Sequence, residues 1–152
     1  YQAVYDILSS LQSKEKIMQL PYTGGCQCTQ IRYKIIKQPI RLIVCHCKEC
    51  QTQSGSAFGM SMHINKDSIH LSGKLKTFHR IADSGHKNTG CFCPDCGNRI
   101  YNIPQSLNGI YTLKPGTLDD TSWLRPTSFI WTKRAQGWVP TPKEIEVING
   151  QT

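Results

Sequence analysis

The sequence predicts a mainly β domain stapled by zinc, and three observations predict it. Short runs of alternating apolar and polar residues recur after position 20, each bounded by Gly, Pro, Ser or Asp. Cys26-Gln27-Cys28 and Cys93-Pro94-Asp95-Cys96-Gly97 are two ligand pairs of the kind that converge on one metal. Between them, Cys45-His46-Cys47-Lys48-Glu49-Cys50 carries three more thiols.

The chain of 152 residues suits one domain with its own core. No run of eighteen apolar residues and no basic-then-apolar leader appear, so neither a membrane nor export is expected. A cytoplasmic location then favours reduced thiols over four disulfides among the 8 cysteines. The formal charge of +8 counts every Cys as neutral. Seven bound thiolates and two Zn²⁺ would lower it by three, to +5. That surplus attracts small anions, whereas nucleic acid is not an expected partner.

Residues 1–20 read as a helical extension, with Val4, Ile7, Leu8 and Leu11 at helical spacing and Pro21 beyond its end. Such a stripe packs on the domain or on a second copy of the chain. The zinc domain spans 21–140. In it Ile31, Tyr33 and Ile35 alternate with Arg32 and Lys34, as in a half-buried strand. Leu42-Ile43-Val44 runs into Cys45, placing the triplet at a strand end. Gln51 to Ser56 reads as polar loop, and Ala57 to Ile64 as a strand. Ile69 to Ile81 reads as short strands around Ser72-Gly73, and His86 to Phe92 as the strand delivering Cys93. Strands are also expected at Arg99-Ile100-Tyr101, at Ile110 to Leu113 before Pro115-Gly116, and at Ser128 to Thr132. Residues 141–152 read as a polar tail.

Counting divides the thiols. Cys26, Cys28, Cys93 and Cys96 complete one closed four-sulfur site, which is the structural kind. Cys45, Cys47 and Cys50 then hold a second Zn²⁺ with an open position, the catalytic kind. The competing reading closes that position with His46 or Cys91. His46, flanked by Cys45 and Cys47, points away from their metal in extended chain, and Cys91 shares a strand face with Cys93. His63, His70, His79 and His86 show no paired spacing and read as surface or hydrogen-bonded residues. Lys48 and Arg80 are candidates for holding carboxylates, and Glu49 reads as solvated charge.

Three thiolates around Zn²⁺ leave a net charge of −1, a poor acidifier of water. Soft ligands select a soft partner. The expected fourth ligand is therefore a substrate thiolate, which argues for carbon–sulfur chemistry over hydrolysis. The alternative is a non-catalytic zinc-stabilised module binding protein or nucleic acid.

Gly24-Gly25-Cys26-x-Cys28, Cys45-His46-Cys47-x-x-Cys50 with Ser54-Gly55-Ser56-Ala57-Phe58 after it, and Phe92-Cys93-Pro94-x-Cys96-Gly97 resemble the glutathione-dependent formaldehyde-activating enzyme family, also called the centromere protein V domain. Gly116-Thr117-Leu118-Asp119, Arg125-Pro126, Ile130-Trp131 and Trp138-Val139 resemble its later motifs. The resemblance covers about residues 22–140. It implies an Mss4-like zinc-stapled β fold, two Zn²⁺ per chain, and the same division of the seven cysteines. It also implies glutathione as co-substrate and a lyase that reversibly joins that thiol to formaldehyde or a similar electrophile. Departures from the family pattern are Thr29 where Gly is common, Cys91, the N-terminal helix, and Phe129 where His is frequent.

Overall fold

The computed structural model describes residues 19–151. The expected helix over 1–20 thus lies, apart from Gln19 and Leu20, outside the described residues. Eleven strands form two sheets. In chain order they are β1 (Tyr22–Gly25), β2 (Arg32–Ile35), β3 (Arg41–Cys45), β4 (Gly59–Asn65), β5 (Ile69–Ser72), β6 (Lys76–Ile81), β7 (Lys87–Phe92), β8 (Arg99–Pro104), β9 (Ile110–Leu113), β10 (Ser128–Ile130) and β11 (Glu146–Ile148). Among the described residues one α-helix, α1 (Lys48–Ser54), follows β3. The small sheet has the order β1-β2-β5, and the large one β11-β10-β3-β4-β9-β8-β7-β6. β10 runs parallel to β3 and β11, and all other pairings are antiparallel.

Side chains alternate across a strand, so the large sheet has two faces with different duties. Leu42, Met62, Ile64, Ile100 and Leu113 pack on Tyr33 and Ile35 of the small sheet, with Ile31 before them, and together make the main core. Each large apolar side chain buried there stabilises the fold by roughly 1.5–3 kcal/mol. Asp119, in the loop after β9, fastens the small sheet to the large one. It pairs with Arg32, accepts from Thr23 Oγ1 at 2.7 Å, and its N–H reaches Thr23 O.

The opposite face of the large sheet turns from a core to a cavity. Arg41, His63, Thr112, Asn102, Gly90 and Phe78 stand in consecutive register across six strands. On a flat sheet, five strand spacings would put β6 about 24 Å from β3. Yet Arg80 Nη1 on β6 lies 3.4 Å from Glu49 Oε2 on α1, just beyond β3. The sheet therefore twists and curls, and the helix closes over its concave side.

Two expectations change. The polar loop expected from Gln51 is largely the helix α1. Cys47 caps it, its sulfur accepting from Cys50 N, and Gly55 ends it at φ +62°. Its seven residues bury no side chain, so no apolar stripe announced it. The polar tail contains β11, which pairs with β10. An edge strand that shelters little more than Ile148 leaves no period-2 signal.

Candidate metal centres

All eight cysteines are free thiols, and seven fall into two clusters. Cys26, Cys28, Cys93 and Cys96 offer sulfurs that all lie within 4.8 Å of one another. Two turns build this cluster. Thr29 N donates to Cys26 O at 3.1 Å, and Gly97, at φ +75°, donates to Cys93 O at 2.9 Å. Gln27 N to Asn98 Oδ1, 3.2 Å, ties one turn to the other. Cys26 and Cys28 are 3.5 Å apart at sulfur, and Cys28 and Cys93 are 3.6 Å apart. A disulfide would need about 2.05 Å. A tetrahedral zinc with bonds of about 2.3 Å needs sulfur–sulfur edges of about 3.8 Å. The donor set and its spacing fit that ion.

The titration of these thiols points the same way. The Asn98 N–H first, and then the Cys28 backbone, bring Cys96 down to about 6. Cys28 is pushed up to about 12, its donor from Gln30 overcome by crowding against Cys26 and the other sulfurs. Four such thiols cannot all ionise together without a cation between them.

The second cluster holds Cys45, Cys47 and Cys50, also within 4.8 Å of one another at sulfur. Cys45 ends β3, Cys47 caps α1, and Cys50 lies in its first turn. Contact with Cys47 and then Cys50 raises Cys45, while contact with Cys45 and then Cys50 lowers Cys47. Three sulfurs sharing negative charge again match a cation site, here with three protein ligands. His46 is 1% exposed, its ring packed between Phe58 and Phe129, and it is no member of the cluster. Cys91 belongs to neither cluster. It is buried on β7 opposite Tyr101, where burial pushes its thiol up.

The triplet opens into a cavity of about 650 Å³. Among the described residues its walls carry Arg41, Arg80, Lys87, Arg99 and Lys114 against a single acid, Glu49, which Arg80 engages. Lys114 lies within electrostatic reach of all three sulfurs; burial lowers its pKa, and Cys50, Cys45 and Cys47 pull it back up. His63, expected at the surface or hydrogen-bonded, is 7% exposed on the cavity wall, and its Nδ1 accepts from Arg41 Nε at 3.4 Å. Lys48 lines a separate shallow hollow with Trp138. Lys114, Arg99 and Asn88 were missed by sequence reading, because only strand order brings them to the cavity that the triplet lines.

The fold is similar to the crystal structure of a Rhodobacter sphaeroides protein solved by structural genomics. That match has TM-score 0.53 and 13% identity, and covers 66% of this chain and 90% of that one. The family model described as glutathione-dependent formaldehyde-activating enzyme matches residues 21–134, which include all seven clustered cysteines. On the motifs, the mainly β fold and this match, the chain belongs to the glutathione-dependent formaldehyde-activating enzyme family.

Proposed function

We propose that this protein is a zinc-dependent carbon–sulfur lyase that makes or cleaves adducts of a glutathione-type thiol with an aldehyde or similar electrophile. One observation carries the reading: three sulfurs, with no fourth protein ligand among the described residues, sit at the end of a basic cavity. A zinc ion held by Cys45, Cys47 and Cys50 would supply a soft Lewis acid with one position left for a substrate sulfur. A protonated Lys114, favoured by Cys50, Cys45 and Cys47 against the burial that lowers its pKa, would offset the residual negative charge of that unit. The basic walls draw an anionic thiol toward it. The Arg80–Glu49 pair ties helix α1 to β6 across this cavity. In the joining direction a C–S bond forms and the carbonyl π bond opens. The thiol's proton ends on the new hydroxyl oxygen, and the reverse path returns it. The other four cysteines have a structural part.

Cobalt exchanged into the protein tests this directly. Glutathione should alter the visible bands in the way an added thiolate does, and S-methylglutathione should not. Cys47→Ser should abolish the response. Bands that stay unchanged with every thiol tried would end the lyase reading and favour a binding module.

A further inference from the structure

The wall of the cavity formed by β6, β7 and β8 holds two groups that the metal chemistry does not use. Arg99 Nη1 donates to Asn102 Oδ1 at 2.8 Å, and its guanidinium lies 4.5 Å from the Phe78 ring centroid. Gly90 on β7 makes this position available. A Cβ there would stand 2.8 Å from Arg99 Nη1 and would also strike Phe78. The guanidinium is therefore fixed in place, and no acidic group among the described residues pairs with it. Burial keeps the nearby Cys91 thiol protonated, so it brings no compensating charge. On the same cavity wall, Asn88 Oδ1 is buried without a hydrogen-bond partner. Asn88 and Gly90 share one face of β7, about 6.7 Å apart along the strand. A half-buried unpaired cation and an orphaned acceptor each carry a desolvation cost that a ligand can relieve.

We propose that this wall reads the C-terminal end of a peptide thiol, with Arg99 taking the carboxylate and Asn88 Oδ1 accepting from the amide N–H beside it. Resting on the lyase reading, the assignment adds which end of the substrate is recognised and by which residues. An amide N–H fits better than an ammonium. Arg80 stands opposite Asn88, Lys87 and Lys114 line the same cavity, and the one acid, Glu49, is already engaged. A second positive charge there would be repelled, whereas a neutral donor would not. The planar guanidinium also suits a carboxylate better than an ammonium would, because it offers two parallel donors.

The test uses zinc-loaded protein and S-methylglutathione, which carries the peptide but no free thiol, with binding followed by calorimetry. Wild type should bind it. Arg99→Gln should bind about ten- to hundred-fold more weakly, as loss of a charged hydrogen-bond pair predicts. Arg99→Lys should fall between them. Gly90→Ala, which keeps the charge but displaces the guanidinium, should also weaken binding. Because these variants also touch the sheet, the ligand is changed as well. Converting the glycine carboxylate to an amide should cost wild type the same factor and Arg99→Gln nothing further, while acetylating the amino end should leave wild-type affinity nearly unchanged. No binding by wild type, equal binding of acid and amide, or dependence on the amino end instead would overturn the proposal. The cobalt response to glutathione reads only the sulfur, so either experiment can fail while the other succeeds.

Discussion

The four-thiol cluster joins two turns that lie far apart in the chain, and the three-thiol cluster is built within a single strand-to-helix turn. Cys28 is exposed, and Cys26 and Cys93 are buried, and a metal held by the first cluster would pin the turn after β1 to the knuckle after β7. The second cluster pins only α1 to the end of β3, and its surroundings are a cavity rather than a core. With a metal in each, identical ligand chemistry would serve different ends according to the length of chain each site closes. A long loop held shut removes much conformational freedom from the unfolded chain, and a turn of six residues removes little.

The largest expected effect breaks this comparison at its root. Cys96→Ser should lose one metal and with it most of the folded state. A structural zinc contributes on the order of 10 kcal/mol, comparable to a domain's whole net stability. Cys47→Ser should also drop from two zinc ions to one but keep a cooperative thermal transition. Metal analysis beside calorimetry distinguishes them. Equal unfolding in both variants, or one zinc in the wild type, would remove the division of labour.

A second effect, of middle size, concerns acid. Burial first, and Arg41 second, bring His63 down to about 4, against 6.5 for the free side chain. The unfolded chain therefore binds the proton more readily, and stability falls as pH drops from 6.5 toward 4. The contribution is up to about 3 kcal/mol, fully present above the unfolded pKa. His63→Gln keeps an acceptor for Arg41 but cannot titrate, so its stability should be flatter across that window. Zinc release also destabilises in acid, but it acts on both proteins alike. An unchanged acid limb in the variant would show that the site relaxes around the imidazolium. The three-thiol side of the molecule would then be softer than its burial implies.

How much of this was legible beforehand depends on range. The alternation of Ile31, Tyr33 and Ile35 is local, and β2 with the residue before it buries those positions as read. The two ligand pairs are local as well, and a metal brings them together whatever the strand order. The cavity is not local. Arg99, Asn88 and Lys114 share a cavity with the triplet only because β9, β8 and β7 follow β4 in the sheet, and period-2 alternation gives faces but no neighbours. Helix α1 and β11 were missed for a related reason. Each is short and polar, held by caps or by one pairing rather than by an apolar face.

The smallest effect sharpens the comparison from the structural side. Thr29 follows Cys28 at φ +66°, a left-handed conformation that a β-branched residue adopts only under constraint. Its N–H closes the turn onto Cys26 O, so the conformation comes with the turn that presents both sulfurs. This gives a physical meaning to the glycine common at that place among the proteins this sequence resembles. Glycine would relieve about 1–2 kcal/mol of left-handed strain and give back about 0.5–1 kcal/mol in unfolded-chain entropy. Thr29→Gly should therefore raise stability by about 0.5–1 kcal/mol, a thermal shift of a few degrees for a domain of this size. Zinc content should stay at two, and the cobalt response to glutathione should be that of the wild type, because Thr29 lies in the four-thiol turn. A gain in stability that came with an altered thiol response would mean the two clusters are coupled through the sheet between them.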